Sequence, residues 1–253
     1  MNPILIRIGN FNLYSYGLCL FISFVLGIKI VEVRAKKFGV SKESITDLAL
    51  VVLICSILGA RLLYVIFHWT EFENDLIGTI AFWRGGLGGL MFFGGFLGGL
   101  AGGLTFVYKK KLPIHKMLDA ITPALVLGEG ITRIGCFLNG CCFGKPTSSF
   151  WGVLFPKASP AGEVFTCPIH PTQLYSSFVG FSLFVLTLVL ERKKLKSGIL
   201  FGIIISLYAL FRFLIDFVRY YENLGNFLIN QIIAGGIFTI AIIYTIFRSK
   251  TQD

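Results

Sequence analysis

Charged residues are scarce in this chain of 253: they make up 14% of it, against roughly 25% in a soluble domain. The apolar residues, 55% of the total, run in long blocks instead of amphipathic stripes, which excludes an ordinary soluble fold. No linker, charge run or low-complexity tail divides the sequence, so residues 1–253 read as a single membrane-embedded domain. A cleavable signal-peptide pattern is lacking: Met1–Asn12 is short and mixed, and no small-residue cleavage site follows the first apolar block. Internal repeat symmetry of the kind secondary transporters show is also missing. The basic residues lack interleaved aromatics, which argues against a nucleic-acid partner.

What is present is a series of blocks about 20 residues long, enough to cross a bilayer as helices. Seven are read, at about Leu13–Val33, Ile45–Phe67, Leu87–Tyr108, Ile121–Leu138, Gln173–Leu190, Ile199–Val218 and Phe227–Phe247. The expected fold is therefore all-α, a polytopic membrane protein of seven transmembrane helices. The net charge of +10 follows the same plan. Fifteen of the 23 Lys and Arg, among them Arg34, Lys36, Lys110, Lys193 and Arg248, fall after the odd-numbered spans. The excess of positive charge marks that side as cytoplasmic, which puts the N-terminus outside and the C-terminus in the cytoplasm. The segment Asn139–Pro171 then reads as a small extracytoplasmic lobe. Residues Gly85–Gly103 hold ten glycines. The series Gly94/Gly98/Gly102 and Gly95/Gly99/Gly103 are small-xxx-small patterns that let helices approach closely in lipid. Gly85, Gly86, Gly88 and Gly89 equally suit backbone that approaches a phosphate or a lipid headgroup.

Ionisable groups at membrane depth mark candidate sites. Glu129, Arg133 and Cys136 stand at i, i+4 and i+7 and share one helix face. Arg133 either pairs with Glu129 as a lock between helices or presents its planar fork to an anionic headgroup. Tyr208, Arg212, Asp216 and Arg219 form a second polar stripe, on a helix otherwise rich in Leu, Phe and Ile. Both helices run outward, so two arginines approach the same leaflet, where an anion would be held strongly in a low dielectric. His170, ahead of the fifth span, is either a polar interface residue or a base. Cys141 or Cys142 with Cys167 makes a plausible disulfide in an oxidising compartment. The C-x4-C-C spacing also suits metal, but no His/Cys pairing at a familiar zinc spacing supports it, and no metal is expected.

These residues, in order, resemble the prolipoprotein diacylglyceryl transferase family over nearly the whole chain. The matching blocks are Tyr14-Ser-Tyr16-Gly17, Gly59-Ala-Arg61-Leu-Leu-Tyr64, Gly88-Gly89-Leu-Met-Phe92-Phe93-Gly94-Gly95 and Gly130-Ile-Thr-Arg133-Ile-Gly135-Cys136-Phe137-Leu-Asn139-Gly140. Leu154-Phe155-Pro156, His170-Pro171-Thr-Gln173-Leu174-Tyr175 and Tyr208-Ala-Leu-Phe211-Arg212 complete the set. The resemblance implies transfer of an sn-1,2-diacylglyceryl group from phosphatidylglycerol to the lipobox cysteine of preprolipoproteins, with release of glycerol phosphate, in the bacterial inner (plasma) membrane. It implies no cofactor. It makes Arg133 and Arg212 the key arginines and Tyr16 and Tyr208 the cavity tyrosines, with Asn139, Asp119, His170 and Gln173 as polar family positions. Glu129, Asp216, Arg61, Gly94 and Gly95 are expected to line the substrate. The chain departs from the family pattern at five places. Phe93 replaces the motif histidine, Cys136 the signature Asn, Cys141 the acid after Asn-Gly and Ser176 the acid after Gln-Leu-Tyr, and the acid four residues beyond the second arginine is shortened to Asp216. A family member with another acceptor, or a lipid transporter, are the alternatives.

Overall fold

The computed structural model describes residues 4–8, 11–73, 76–80, 89–193 and 195–251. It is helical almost throughout. The helices are α1 (Ser15–Ala35), α2 (Lys42–Phe67), α3 (Leu76–Ile80), α4 (Phe92–Lys109), α5 (Ile114–Asn139), α6 (Pro160–Val164), α7 (Thr172–Leu190), α8 (Ile199–Asp216) and α9 (Leu224–Lys250). Among the described residues six of these, α1, α2, α5, α7, α8 and α9, are long and apolar enough to cross a membrane. The expected span Leu87–Tyr108 is shorter as a helix. It begins at Phe92, and the six glycines among its 18 residues dilute its apolar character; residues 81–88 lie outside the described set. Where the sequence is merely mixed at its start, the structure pairs β1 (Ile4–Ile8) antiparallel with β2 (Phe11–Tyr14), Arg7 opposite Asn12.

The chain divides into two compact units, Glu32–Met117 and the combination of Met1–Val31 with Leu118–Asp253. In the first, α4 packs on α2 backbone to backbone. A Cβ on Gly94 would collide with the Gly59 carbonyl and Leu63, and one on Gly98 with the Cys55 carbonyl. A Cβ on Gly102 would run into the Cys55 side chain. The i, i+4 glycine series is thus the contact face, as close approach in lipid requires. Gly98→Leu should wedge the two helices apart and cost about 1–3 kcal/mol. Unfolding of the purified variant in detergent checks this, and a transition unchanged from wild type would refute the contact.

In the other unit α1 runs antiparallel along α5. Gly135 abuts Cys19, the Ser23 hydroxyl meets the Gly128 carbonyl at 3.3 Å, and Gly27 faces Ala124. Helix α7 crosses α5 where Gly180 meets Gly130, and Ser177 donates to the Gly130 carbonyl at 2.8 Å. Gly180 must be glycine there, because a Cβ on it would overlap the Gly130 backbone, whereas a Cβ on Gly130 would press on the Phe181 ring at 3.1 Å. Val126, Leu183, Leu200 and Ile204 form the core between α5, α7 and α8. The start of α8 is fixed by Asp119 of α5. Its carboxylate accepts the Gly198 N–H at 2.6 Å and the Phe201 N–H at 3.0 Å. That satisfies helix-end donors and sets a negative charge at the positive end of the helix.

The ends of α5, α7 and α8 gather at one place. The strand-like run after α5 pairs with the run after α8: Lys145 N–H donates to Val218 at 2.9 Å, Tyr220 N–H donates to Phe143 at 3.1 Å, and Gly144 lies opposite Arg219. The segment Asn139–Pro171 folds as a small lobe around Phe155, Ala161 and Ile169. Ser159 caps α6 there.

Candidate active site

The two arginine-bearing helices end together, and their polar stripes form two adjoining networks. In the first, Glu129 Oε1 accepts Arg133 Nε at 2.7 Å and the Tyr208 hydroxyl at 3.3 Å. The i, i+4 pair expected on α5 therefore forms, and Tyr208 joins it from α8. In the second, Arg212 Nη1 lies 2.7 Å from Asp216 Oδ1, and its Nη2 donates to the Tyr221 hydroxyl at 3.3 Å. Tyr221 in turn donates to Asp216 Oδ1 at 2.7 Å. Tyr208 links the two networks: it bonds Glu129, the partner of Arg133, and stands one helical turn before Arg212 on α8.

They are not equivalent. Both terminal nitrogens of Arg212 are engaged by Asp216 and Tyr221. Arg133 is held by its Nε alone, and its two terminal nitrogens make no hydrogen bond to a described residue. They are the pair of donors whose spacing suits two oxygens of one phosphate. Buried acceptor atoms lie nearby on these elements: Asp216 Oδ2 and Gln173 Oε1 have no partner. An open apolar groove of about 390 Å³ runs between α7 and α8, lined by Leu174, Phe178, Phe211, Leu214 and Ile215 among others. Its α8 wall is the same helix that carries Arg212 and Asp216.

The thiols gather beside Arg133. Cys136 is in the last turn of α5, and the helix ends at Asn139. Gly140 takes φ 76° and Cys142 φ 61°, so the chain doubles back. The sulfurs of Cys136, Cys141 and Cys142 come within 4.8 Å of one another. Cys136 is buried and the other two are partly exposed. Thr172 donates to the Cys142 carbonyl at 2.8 Å and Gln173 to the Cys141 carbonyl at 2.7 Å. The Cys141 thiol is directed at the Cys136 carbonyl, 3.8 Å away. Bonds from the Cys136 and Cys141 thiols hold the Cys142 thiol well below the ordinary thiol range, and the charges of Arg219 and Arg133 act in the same sense. Tyr16 lies on α1 with its backbone against Gly135, the residue before Cys136.

Several expected residues lie elsewhere. All six cysteines are free, and Cys167 is exposed on the lobe. The anticipated bridge from Cys141 or Cys142 to Cys167 is not formed, because the turn after α5 directs both thiols back onto Cys136. The His170 ring contacts the Tyr175 hydroxyl at 3.0 Å and not the arginine networks. In the Glu32–Met117 unit, Arg61 binds backbone: its Nε donates to Thr79 at 2.9 Å, Nη1 to Gly89 at 2.9 Å and Nη2 to Gly78. Gly94 and Gly95 face α2, and Phe93 is an exposed residue of α4. Ser176 bonds its own helix at Thr172. Tyr221 is the network member that the sequence reading passed over. It stands outside the helical stripe, but a Tyr-Tyr pair directly after Arg219 was a usable sign.

Comparison with known proteins places the chain in a family. The family model described as prolipoprotein diacylglyceryl transferase matches residues 3–247. The chain is 33% identical over 219 residues to a phosphatidylglycerol–prolipoprotein diacylglyceryl transferase of Clostridium tetani, covering 87% of this chain and 86% of that protein. A transferase of the same name from Synechococcus elongatus is 32% identical over 260 residues, with 98% and 89% covered. One from Geobacter sulfurreducens is 29% identical over 261 residues, with 100% and 97% covered. This chain, a multi-pass bacterial membrane protein, belongs to the prolipoprotein diacylglyceryl transferase family, a family of transferases.

Proposed function

We propose that this protein transfers the sn-1,2-diacylglyceryl group of phosphatidylglycerol to the lipobox cysteine thiol of preprolipoproteins and releases glycerol phosphate. The observation that carries the reading is the junction of the two arginine networks at Tyr208, which bonds the Glu129 partner of Arg133 and stands one turn before Arg212, with the fork of Arg133 left open. In the reaction, sulfur bonds to the glyceryl carbon while that carbon's bond to the phosphate oxygen breaks. Negative charge builds on the departing phosphate, where a preorganised cation in a site of low dielectric contributes most. The nucleophile comes with the protein substrate, so the enzyme supplies orientation and charge. The apolar groove on α7 and α8 offers hydrocarbon contact for an acyl chain or for the apolar stretch of a signal peptide. The placement of Lys and Arg supports an extracytoplasmic N-terminus and a cytoplasmic C-terminus, which sets the site at the outer leaflet of the inner membrane.

The test is mass spectrometry of a lipobox peptide incubated with the protein in proteoliposomes. Expected is a mass gain equal to one diacylglyceryl group with phosphatidylglycerol vesicles and none with phosphatidylethanolamine vesicles. A peptide that stays unmodified in phosphatidylglycerol refutes the reading. The presence of Cys136 and Cys141 at two family-motif positions favours a second reading in which the lipid goes to a different acceptor. Failure of the stably inserted protein to replace an authentic transferase in a depleted strain would support that reading.

A further inference from the structure

We propose that Cys136, Cys141 and Cys142 hold one thiophilic divalent ion of the zinc class, with its fourth coordination position open to an incoming thiol. The role of that open position rests on the lipid-transfer reading above; the ion site itself does not. Three features of the fold carry the proposal.

The first is convergence. Three sulfurs from one seven-residue stretch lie within 4.8 Å of one another. Thiolates about 2.3 Å from a zinc ion sit roughly 3.8 Å apart in a tetrahedron, so shifts of under about 1 Å close the site. The second is the backbone. Cys142 holds φ 61°, a left-handed conformation that disfavours any residue with a Cβ. A side chain kept where glycine is easier points to a use for that side chain. The third is the support around the turn. Thr172 and Gln173 hold the Cys142 and Cys141 carbonyls at 2.8 and 2.7 Å. Outer partners of this kind fix ligands before the ion arrives.

Among the described residues no fourth Cys, His, Asp or Glu joins the group. Three protein ligands with a vacant fourth position are the composition of a catalytic zinc site, whereas structural sites have four. Three thiolates on a divalent ion leave one net negative charge; Arg133 stands one turn before Cys136 on α5, and Arg219 lies opposite Gly144, two residues after Cys142. A thiol that coordinates such an ion loses its proton. The acceptor cysteine would give its S–H proton to water, and its sulfur would bond to the glyceryl carbon. The C–O bond to the phosphate would break, its electron pair leaving on the phosphate oxygen beside Arg133. The ion would thus serve where Phe93 stands in place of the motif histidine.

The test uses the full-length protein in nanodiscs containing phosphatidylglycerol, reduced, stripped with chelator and titrated with cobalt(II). Expected is uptake of about one equivalent with the sulfur-to-cobalt absorption of a thiolate site, lost in C136S and in C142G. Glycine suits a positive φ, so C142G removes a ligand without straining the turn. A lipobox peptide should shift the visible cobalt bands, and its Cys→Ser counterpart should not. No thiolate absorption, or absorption retained in C142G, overturns the site. Cobalt bands that ignore the cysteine peptide overturn the open position. Lipidation at full rate in C142G overturns the thiol-activating role and leaves lipid transfer standing. A cobalt site that forms and binds the peptide in a protein that never lipidates it upholds the ion site and removes the transfer reading instead.

Discussion

Arg133→Ala should lower diacylglyceryl transfer by about 10²–10³-fold, the usual cost of deleting one preorganised donor at a developing anion. The reason is geometric. Glu129 fixes Arg133 through Nε at 2.7 Å, so the side chain is already oriented and its two terminal nitrogens face the site unbonded. Arg133→Lys keeps the charge but replaces the fork with a point donor, so it should recover only part of the rate. The alanine variant also strands the Glu129 carboxylate, whose remaining partner is Tyr208 at 3.3 Å. Glu129→Gln combined with Arg133→Ala removes that stray charge. If the double variant unfolds like wild type yet transfers as poorly as Arg133→Ala, the lost rate belongs to the guanidinium. Lipidated peptide quantified by mass spectrometry in proteoliposomes is the readout. Transfer within about twofold of wild type for Arg133→Ala would remove Arg133 from the mechanism, since a preorganised donor is worth far more than that.

Much of this arrangement was legible in the sequence, and what was legible follows from periodicity. Apolar blocks gave α7 to within one residue at its start. The i, i+4 spacing gave the Glu129–Arg133 pair, because residues four apart on a helix are neighbours whatever surrounds them; Arg212 and Asp216 were read only as members of one polar stripe, and their ion pair is seen in the fold. The glycine series gave a close-contact face on α4 but not its partner, α2. Helix α5 begins earlier than its apolar block, at Ile114, because its first turns carry His115, Lys116 and Asp119. Hydropathy sees only the lipid-facing part of such a helix. What was not legible depends on turns and on contacts distant in sequence. Tyr221 reaches Asp216 only because the chain bends after α8. The three thiols meet only because Gly140 and Cys142 both take positive φ. Asp119 was a polar motif position in the sequence. In the fold it is an anchor for α8, 79 residues away, and through it the position of Arg212 is fixed relative to α5.

The largest expected loss of stability is at Asp216. Its side chain is completely buried, and Oδ1 receives both Arg212 at 2.7 Å and the Tyr221 hydroxyl at 2.7 Å. Asp216→Ala leaves the largely buried Arg212 guanidinium without its counter-charge. Breaking a buried pair in this way costs about 3–5 kcal/mol. Asp216→Asn keeps an oxygen for Tyr221 but not the charge, so it should fall between the alanine variant and wild type. Tyr221→Phe deletes hydroxyl bonds only and should cost about 1 kcal/mol. Activity should separate from stability along this series. Tyr221→Phe leaves Arg212 paired and charged, so transfer should stay near wild type. Asp216→Asn frees the guanidinium from its ion pair and lets it turn away from Tyr208, so transfer should fall while the fold survives. Unfolding in detergent, measured beside peptide lipidation for all three variants, gives the order directly. If Asp216→Ala proves as stable and as active as wild type, Arg212 is not held by this carboxylate. The second guanidinium would then have no fixed place beside Tyr208, and the two-arginine site would reduce to Arg133 alone.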